Sequence, residues 1–370
     1  MLCHASSSDL AAALNTVTRI IPPQNPLAIT TGVQCEATGN QLRVSATDLV
    51  HHLTVTIPAT VDEPGIVVLP AATFHALMRR LPSPVCTLAT QAVPSPVTVR
   101  YGRNRATLQS FGPDTLPEFP TVPLDTATVT FPPDTLPRLT RALLFACATD
   151  ETRPILKGIS IVRQDDQLIA VATDGSRLSL VTLAFPDALT AAPFSAVFAV
   201  KTLNEAARLN STDPLNLRWT ADLVEWTTPT ATLRARLLDG SYPDYDRVIP
   251  TEYGTTCRLA LADLRNAVER MQILSDPRVG TPLAVTVRAG ALSLAAESAT
   301  IGQAQETLDC DTTGPDFAII FNPAYLAQAL RSFDGEDILW EFSGVQAPAR
   351  LRDPADASYF HIVLPLRQLI

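Results

Sequence analysis

The sequence predicts an α+β protein of three tandem, similar units, each with two helices and antiparallel sheets. Three recurrences along the 370 residues carry that expectation. A helix-start signal returns as Ser8-Asp9-Leu10, Asp134-Thr135-Leu136 and Asp263-Leu264. An alternating strand closed by a turn returns as Gln41 to Thr47 with Asp48, and as Gln167 to Thr173 with Asp174-Gly175. Ala291 to Ser298 repeats the alternation without the Thr-Asp. A Pro-rich linker closes the first third, Leu116 to Pro123, and another closes the second, Tyr242 to Pro250. A period of about 125 residues places the units at 1–120, 121–247 and 248–370.

The elements follow in order. Asp9 stands at or near the N-cap of a first helix, with Leu10, Leu14, Val17 and Ile21 on one face and Pro22-Pro23 as its stop. Ile66 to Leu69 reads as a strand leading into a helix over 70–81. In the middle third, Leu136, Leu139, Leu143 and Ala146 mark a helix that tolerates Pro137 in its first turn. Val197 to Val200 then leads into a helix over 201–209. In the last third, Leu264, Ala267, Val268, Met271 and Leu274 share one helix face, and Ile319 to Phe321 leads into a helix over 322–332. Leu53 to Ile57 and Leu217 to Trp219 are further strands.

Apolar content of 46% against 18% charged describes a globular chain. No run of 18 apolar residues predicts a membrane span, and no leader pattern opens the chain. The six cysteines are scattered without short pairs, which speaks against a zinc site or disulfide framework and fits a reducing cytoplasm. The net charge of −9 is unevenly placed. The six helix segments hold Arg19, Arg79, Arg80, Arg138, Arg141, Lys201, Arg208, Arg265, Arg270 and Arg331 against only Asp9, Asp134, Glu205, Asp263 and Glu269. If the helices share a surface, that surface is basic on an acidic protein.

Four segments in order resemble one family: Ala172 to Leu178, Tyr242 to Pro250, Phe321 to Leu326, and Ile362 to Arg367. Together with the threefold repeat they resemble the bacterial DNA polymerase sliding clamps, the β subunits of the replicative polymerase. The resemblance implies a DNA clamp fold and a head-to-tail homodimer closing into a ring around duplex DNA. It implies a processivity factor without catalytic site, cofactor or metal, which tethers polymerase, clamp loader and other motif-bearing proteins in the cytoplasm. Twelve helices side by side at roughly 9–10 Å make a circle about 37 Å across the axes. Subtracting roughly 10 Å of helix thickness leaves a hole of about 27 Å, wide enough for a duplex held without base readout. The ten basic helix residues would face that DNA.

The resemblance also implies one peptide-docking pocket per subunit. Its matching positions are Leu156, Thr173, Gly175, Ser176, Arg177, Leu178, Pro243, Arg247, Val248, Ile362, Val363, Leu364, Pro365, Leu366 and Arg367, with Asn322 and Tyr325 at the edge. A peptide resembling Gln-Leu-x-Leu-Phe would fill it, with Arg177 and Arg247 on either side to orient it. The matching dimer-interface positions are Ile273 and Leu274 on one edge and Arg103, Arg105 and Leu108 on the other. This chain departs from the family pattern at Ser176, where His is usual, and at Leu364 and Leu366, where Met is frequent. Gln368-Leu369-Ile370 extends the tail, and Pro23-Gln24-Asn25 replaces an expected basic residue.

Enzyme signals are weak. No phosphate-binding loop of the Gly-x-x-x-x-Gly-Lys type and no Gly-x-Ser-x-Gly elbow occurs. His51 and His52 are adjacent on a strand and point to opposite faces, and His75 sits among helix apolars. Asp48 and Asp174 occupy equivalent turns of separate repeats, which suits turn-building rather than a paired carboxylate site. The other readings are a clamp paralogue serving repair or plasmid replication, and a repeat-built hydrolase.

Overall fold

A computed structural model describes residues 1–22, 27–90, 96–112, 114–164, 166–184, 194–274 and 281–366. The loop Pro23-Gln24-Asn25, Arg367 and the tail extension Gln368 to Ile370 lie outside the described residues. Within them stand six α-helices: α1 (Ser7–Val17), α2 (Ala71–Met78), α3 (Thr135–Leu143), α4 (Val200–Leu209), α5 (Leu261–Ile273) and α6 (Pro323–Leu330). The apolar spacing dictates which faces go inward. Leu10, Leu14 and Val17 of α1, and Leu264, Val268 and Met271 of α5, are buried.

The helix starts correct the sequence reading in two places. The N-cap of α1 is Ser6, whose hydroxyl accepts from the Asp9 backbone N–H at 3.3 Å. Asp9 lies in the first turn, where its carboxylate meets the positive end of the helix dipole. Asp134 precedes α3 with a left-handed φ of 66° and is not part of the helix. Asn322 caps α6 as its Oδ1 accepts from the Ala324 N–H at 3.0 Å, and Pro323 fills the first helical position.

The described strands gather into sheets of twelve, nine and four. Chain contacts divide the protein into two compact units, residues 1–134 with 205–237, and residues 135–204 with 238–370. Sheet pairing explains why this division cuts through the middle third. Strand Ala231–Arg236 joins the sheet of the first third by pairing with strand His51–Glu63, Ala235 opposite His51 and Arg234 opposite His52. Strand Tyr359–Val363 joins the sheet of the middle third by pairing with strand Arg177–Ala184, Val363 opposite Arg177 and Ile362 opposite Leu178. The middle and last thirds thus each lend their last strand to the sheet of the third before them.

In the first unit α1 and α2 pack together, and in the second α5 and α6 do so. Trp226 packs against Phe131 with ring centroids 5.3 Å apart, and Trp340 against Phe321 at 5.5 Å. All six cysteines are free and buried. No described helix is long and apolar enough to cross a membrane.

Candidate peptide-docking pocket and basic helix faces

The turn Thr173 to Arg177 is built by its own side chains. Thr173 Oγ1 donates to the Arg177 carbonyl at 2.6 Å and accepts from the Gly175 N–H at 3.0 Å. Asp174 Oδ1 accepts from the N–H groups of Ser176 and Arg177 at 2.8 and 3.1 Å. Gly175 sits at φ 88°, a left-handed conformation that a side chain disfavours. The tail is tied to this turn, since the Leu364 N–H donates to the Ser176 carbonyl at 2.9 Å. The linker is tied to it as well, since the Thr173 N–H donates to the Tyr242 hydroxyl at 3.1 Å. Burial pushes the Tyr242 phenol well above its usual range, so it stays a neutral hydroxyl there.

Between turn, linker and tail opens a cavity of about 150 Å³. Of the residues singled out from the sequence, Leu156, Thr173, Gly175, Arg177, Leu178, Pro243, Val248, Ile362 and Leu364 line it. Leu156, Leu178 and Ile362 are almost fully buried and form an apolar floor, while Val248 is 45% exposed. That floor rests on a core that includes Val171 and Leu180, with Tyr242, Tyr245 and Ile249 of the linker packed against it. The other expected positions do different work. Val363 is buried, and Ser176 is exposed and reaches the tail through its carbonyl. Pro365 is half-buried, and the exposed Leu366 donates its N–H to the Ile320 carbonyl at 2.8 Å. Asn322 is committed to its helix cap.

The expectation that Arg177 and Arg247 orient a peptide meets a different geometry. Arg177 is 7% exposed. Its Nε donates to Asp174 Oδ2 at 2.9 Å and its Nη1 to Gln328 Oε1 at 2.5 Å, and its guanidinium lies 4.2 Å from the Tyr325 ring centroid. Its charge is spent on fastening the turn to α6. Arg247 pairs with Asp244 at 2.7 Å on the exposed rim. His361 lies near Arg177, bonded through Nδ1 to Ser179 Oγ at 2.7 Å. Burial, with Arg177 nearby, holds its imidazole down to about 3, so it is neutral.

Three lining residues escaped the sequence reading: Arg153, Asp244 and Tyr245. Arg153 lies over Gly175, its Nη2 donating to the Asp174 carbonyl at 2.6 Å. Nothing in the spacing of a lone Arg before Pro154 announces that contact. Asp244 and Arg247 stand three apart in sequence, a signal that was available.

The basic helix residues are largely engaged. Arg19 and Arg208 share the buried carboxylate of Glu205, at 3.0 and 2.6 Å. Arg138 pairs with Asp356 at 2.7 Å, Arg141 with Asp334 at 3.0 Å, Arg270 with Glu306 at 2.6 Å and Arg331 with Glu269 at 2.8 Å. Arg265 donates to the carbonyls of Leu330 and Phe333. Lys201 is half-buried, and Arg79 and Arg80 are exposed. Of the expected interface residues, Ile273 is 75% exposed and Leu274 is half-buried. Arg103, Arg105 and Leu108 flank or lie on strand Asn104–Leu108, the last strand of its sheet. His51 and His52 do not converge. His51 is buried against Asp48 at 3.0 Å, and His52 stacks on Phe119 at 5.9 Å. Among the described residues no three His, Cys, Asp or Glu side chains gather as a metal site.

Comparison with known proteins places this geometry. The family model described as DNA polymerase III beta subunit, N-terminal domain, matches residues 2–123. The central-domain model matches residues 130–244 and the C-terminal-domain model residues 246–367. The beta sliding clamps of Staphylococcus epidermidis and Staphylococcus aureus are each 27% identical over 365 residues, covering 96% of this chain and 96% of theirs. The solved DNA polymerase sliding clamp from Bacillus subtilis superposes with a TM-score of 0.94 at 24% identity, over 100% of this chain and 99% of that one. A sliding clamp from Bartonella birtlesii, solved bound to griselimycin, superposes at 0.93 with 25% identity, over 99% of each chain.

Proposed function

The chain belongs to the DNA polymerase III beta-subunit family, and we propose on that footing that it works as a DNA sliding clamp. It is a processivity factor rather than an enzyme. Two copies close head to tail into a ring around duplex DNA, and the ring tethers the replicative polymerase and other motif-bearing proteins in the cytoplasm. The three domains are 1–120, 121–247 and 248–370. The observation that carries this reading is the family match, which runs through all three domains in order.

The docking pocket lies where the middle domain, the linker and the tail meet, with an apolar floor and polar rim suited to a short peptide. The dimer is supported by Ile273, which stands 75% exposed at the end of α5. It is also supported by two sheet edges that, among the described residues, end in open strands, Asn104–Leu108 in one sheet and Gly302–Asp309 in another. Open edges of this kind present backbone groups for a partner strand.

The test is topological. Placed by a clamp loader on a nicked circle, the protein stays bound; when the circle is cut to a linear duplex, it slides off. Retention on both forms, or a monomer by light scattering at micromolar concentration, sinks the proposal.

A further inference from the structure

We infer that this chain neutralises most of its own DNA-facing cations, so that sequence-independent contact with duplex phosphates is concentrated on Arg79 and Arg80 at the end of α2. The inference rests on the sliding-clamp reading and sharpens it. Of the ten basic helix residues, four arginines form one-to-one pairs with Asp356, Asp334, Glu306 and Glu269. Arg19 and Arg208 divide a single carboxylate. The Arg265 guanidinium points at the last carbonyls around the α6 terminus, where the helix dipole is negative.

A phosphate a few ångströms away from such a pair sees a dipole rather than a charge, and at physiological ionic strength that field dies within about 8 Å. A phosphate that approaches the guanidinium meets an acid already in place, which cancels much of its attraction. Counterion release therefore gains little from these positions.

Arg79 and Arg80 differ in kind. Both are exposed, and neither has an acidic or carbonyl side-chain partner among the described residues. No acid occurs in their sequence neighbourhood either, from Pro64 to Pro113, in a chain whose net charge is −9. The stretch holds five arginines. Arg103 and Arg105 flank the open sheet edge given above to the dimer, and Arg100 also belongs to a strand. Lys201, the tenth, is half-buried and engaged, which leaves the α2 pair as the helix cations free to meet DNA. Their field is felt locally. Modest burial lowers the His75 imidazole, and the neighbouring Arg79 lowers it further.

The experiment measures binding of the full-length protein to a short fluorescent duplex as salt is raised. Each phosphate contact contributes about 0.9 to the slope of log affinity against log salt. R79A/R80A should lower that slope by about 1.8 and the affinity about 60-fold at 0.1 M salt. R79K/R80K, which keeps the charge, should restore most of both and shows that the loss is not misfolding. R138A/R141A removes the same formal charge from paired positions and should change the slope by less than a third as much. An equal loss from R138A/R141A overturns the inference and leaves the DNA reading standing. A wild-type protein without salt-dependent duplex binding overturns both.

Discussion

Replacing Leu364 by Asp separates docking from folding. In the free protein Leu364 is half-buried, with its backbone N–H held by the Ser176 carbonyl at 2.9 Å. A carboxylate there keeps access to water, and the backbone bond does not depend on the side chain. Stability should therefore change by less than about 1 kcal/mol, as at most surface positions. With a peptide in the cavity the balance reverses. The apolar contact of Leu364, worth roughly 1.5–3 kcal/mol when fully covered, is lost. A charged group is then enclosed among Leu156, Leu178 and Ile362, at a further cost of about 1–3 kcal/mol. A micromolar complex, near −8 kcal/mol, should weaken at least about 100-fold. Fluorescence polarisation with a labelled Gln-Leu-x-Leu-Phe peptide reads the affinity, and a thermal melt reads the fold. Unchanged binding by Leu364→Asp would falsify the pocket assignment. Lost binding together with a collapsed melting temperature would show that the residue holds the fold instead.

Further perturbations test the other parts. Changing Ile273 and Leu274 to Ala should remove roughly 3–6 kcal/mol of interface burial and give monomers in light scattering, where a persistent dimer would place the interface elsewhere. Gly175→Ala meets both a φ of 88° and the Arg153 guanidinium 2.6 Å from the added methyl, whereas Gly39→Ala at φ 57° meets open space. Both should lose about 1–2 kcal/mol to the left-handed backbone, and only the first should also weaken peptide docking. His361 has its pKa depressed to about 3 from 6.5, so the fold holds it neutral while the unfolded chain takes up a proton. Its contribution is complete above pH 6.5 and should be lost at about 1.4 kcal/mol per pH unit as pH falls towards 3. Urea midpoints at pH 7 and 5.5 measure the slope, and His361→Gln should flatten it.

The periodic elements were legible because burial dictates them. Leu10, Leu14 and Val17 on α1, or Leu264, Val268 and Met271 on α5, leave one inward face available. The Thr-Asp turns were legible because Asp and Thr bond their own backbone. What stayed hidden depends on partners far along the chain. Arg177 reads as a free cation in sequence, yet Gln328 and Tyr325 claim it from α6. Arg138 and Arg141 read as DNA contacts, yet Asp356 and Asp334 reach them from about 200 residues on. Local pattern gives the charge of a helix and not its neutralisation. The Ser6 cap was missed for a smaller reason, since Ser6, Ser7, Ser8 and Asp9 are all competent caps and only geometry chooses among them.

The two Thr-Asp turns share a frame, and their side chains explain why the proposed docking pocket forms at only one of them. Their backbones follow the same plan. Thr47 Oγ1 donates to the His51 carbonyl at 2.7 Å as Thr173 Oγ1 does to that of Arg177 at 2.6 Å. Asp48 holds His51 as Asp174 holds Arg177. The Arg236 N–H donates to the Val50 carbonyl at 3.1 Å, as that of Leu364 does to the Ser176 carbonyl. The side chains diverge at each corresponding place. Leu49, at a left-handed φ of 75°, stands where Gly175 leaves room for Arg153. His52 and Arg234 face each other across the strands where Leu178 and Ile362 make the apolar floor. Phe119 of the first linker stacks on His52 and covers it. The first turn thus accepts backbone strain of order 1 kcal/mol to hold an exposed Leu, over a polar, aromatic-capped base unsuited to aliphatic anchors. The second keeps Gly at the strained position and an apolar base below it. The hydrogen-bonded frame sets where strand, linker and tail meet, and the side chains on that frame separate the proposed pocket from its counterpart in the first third.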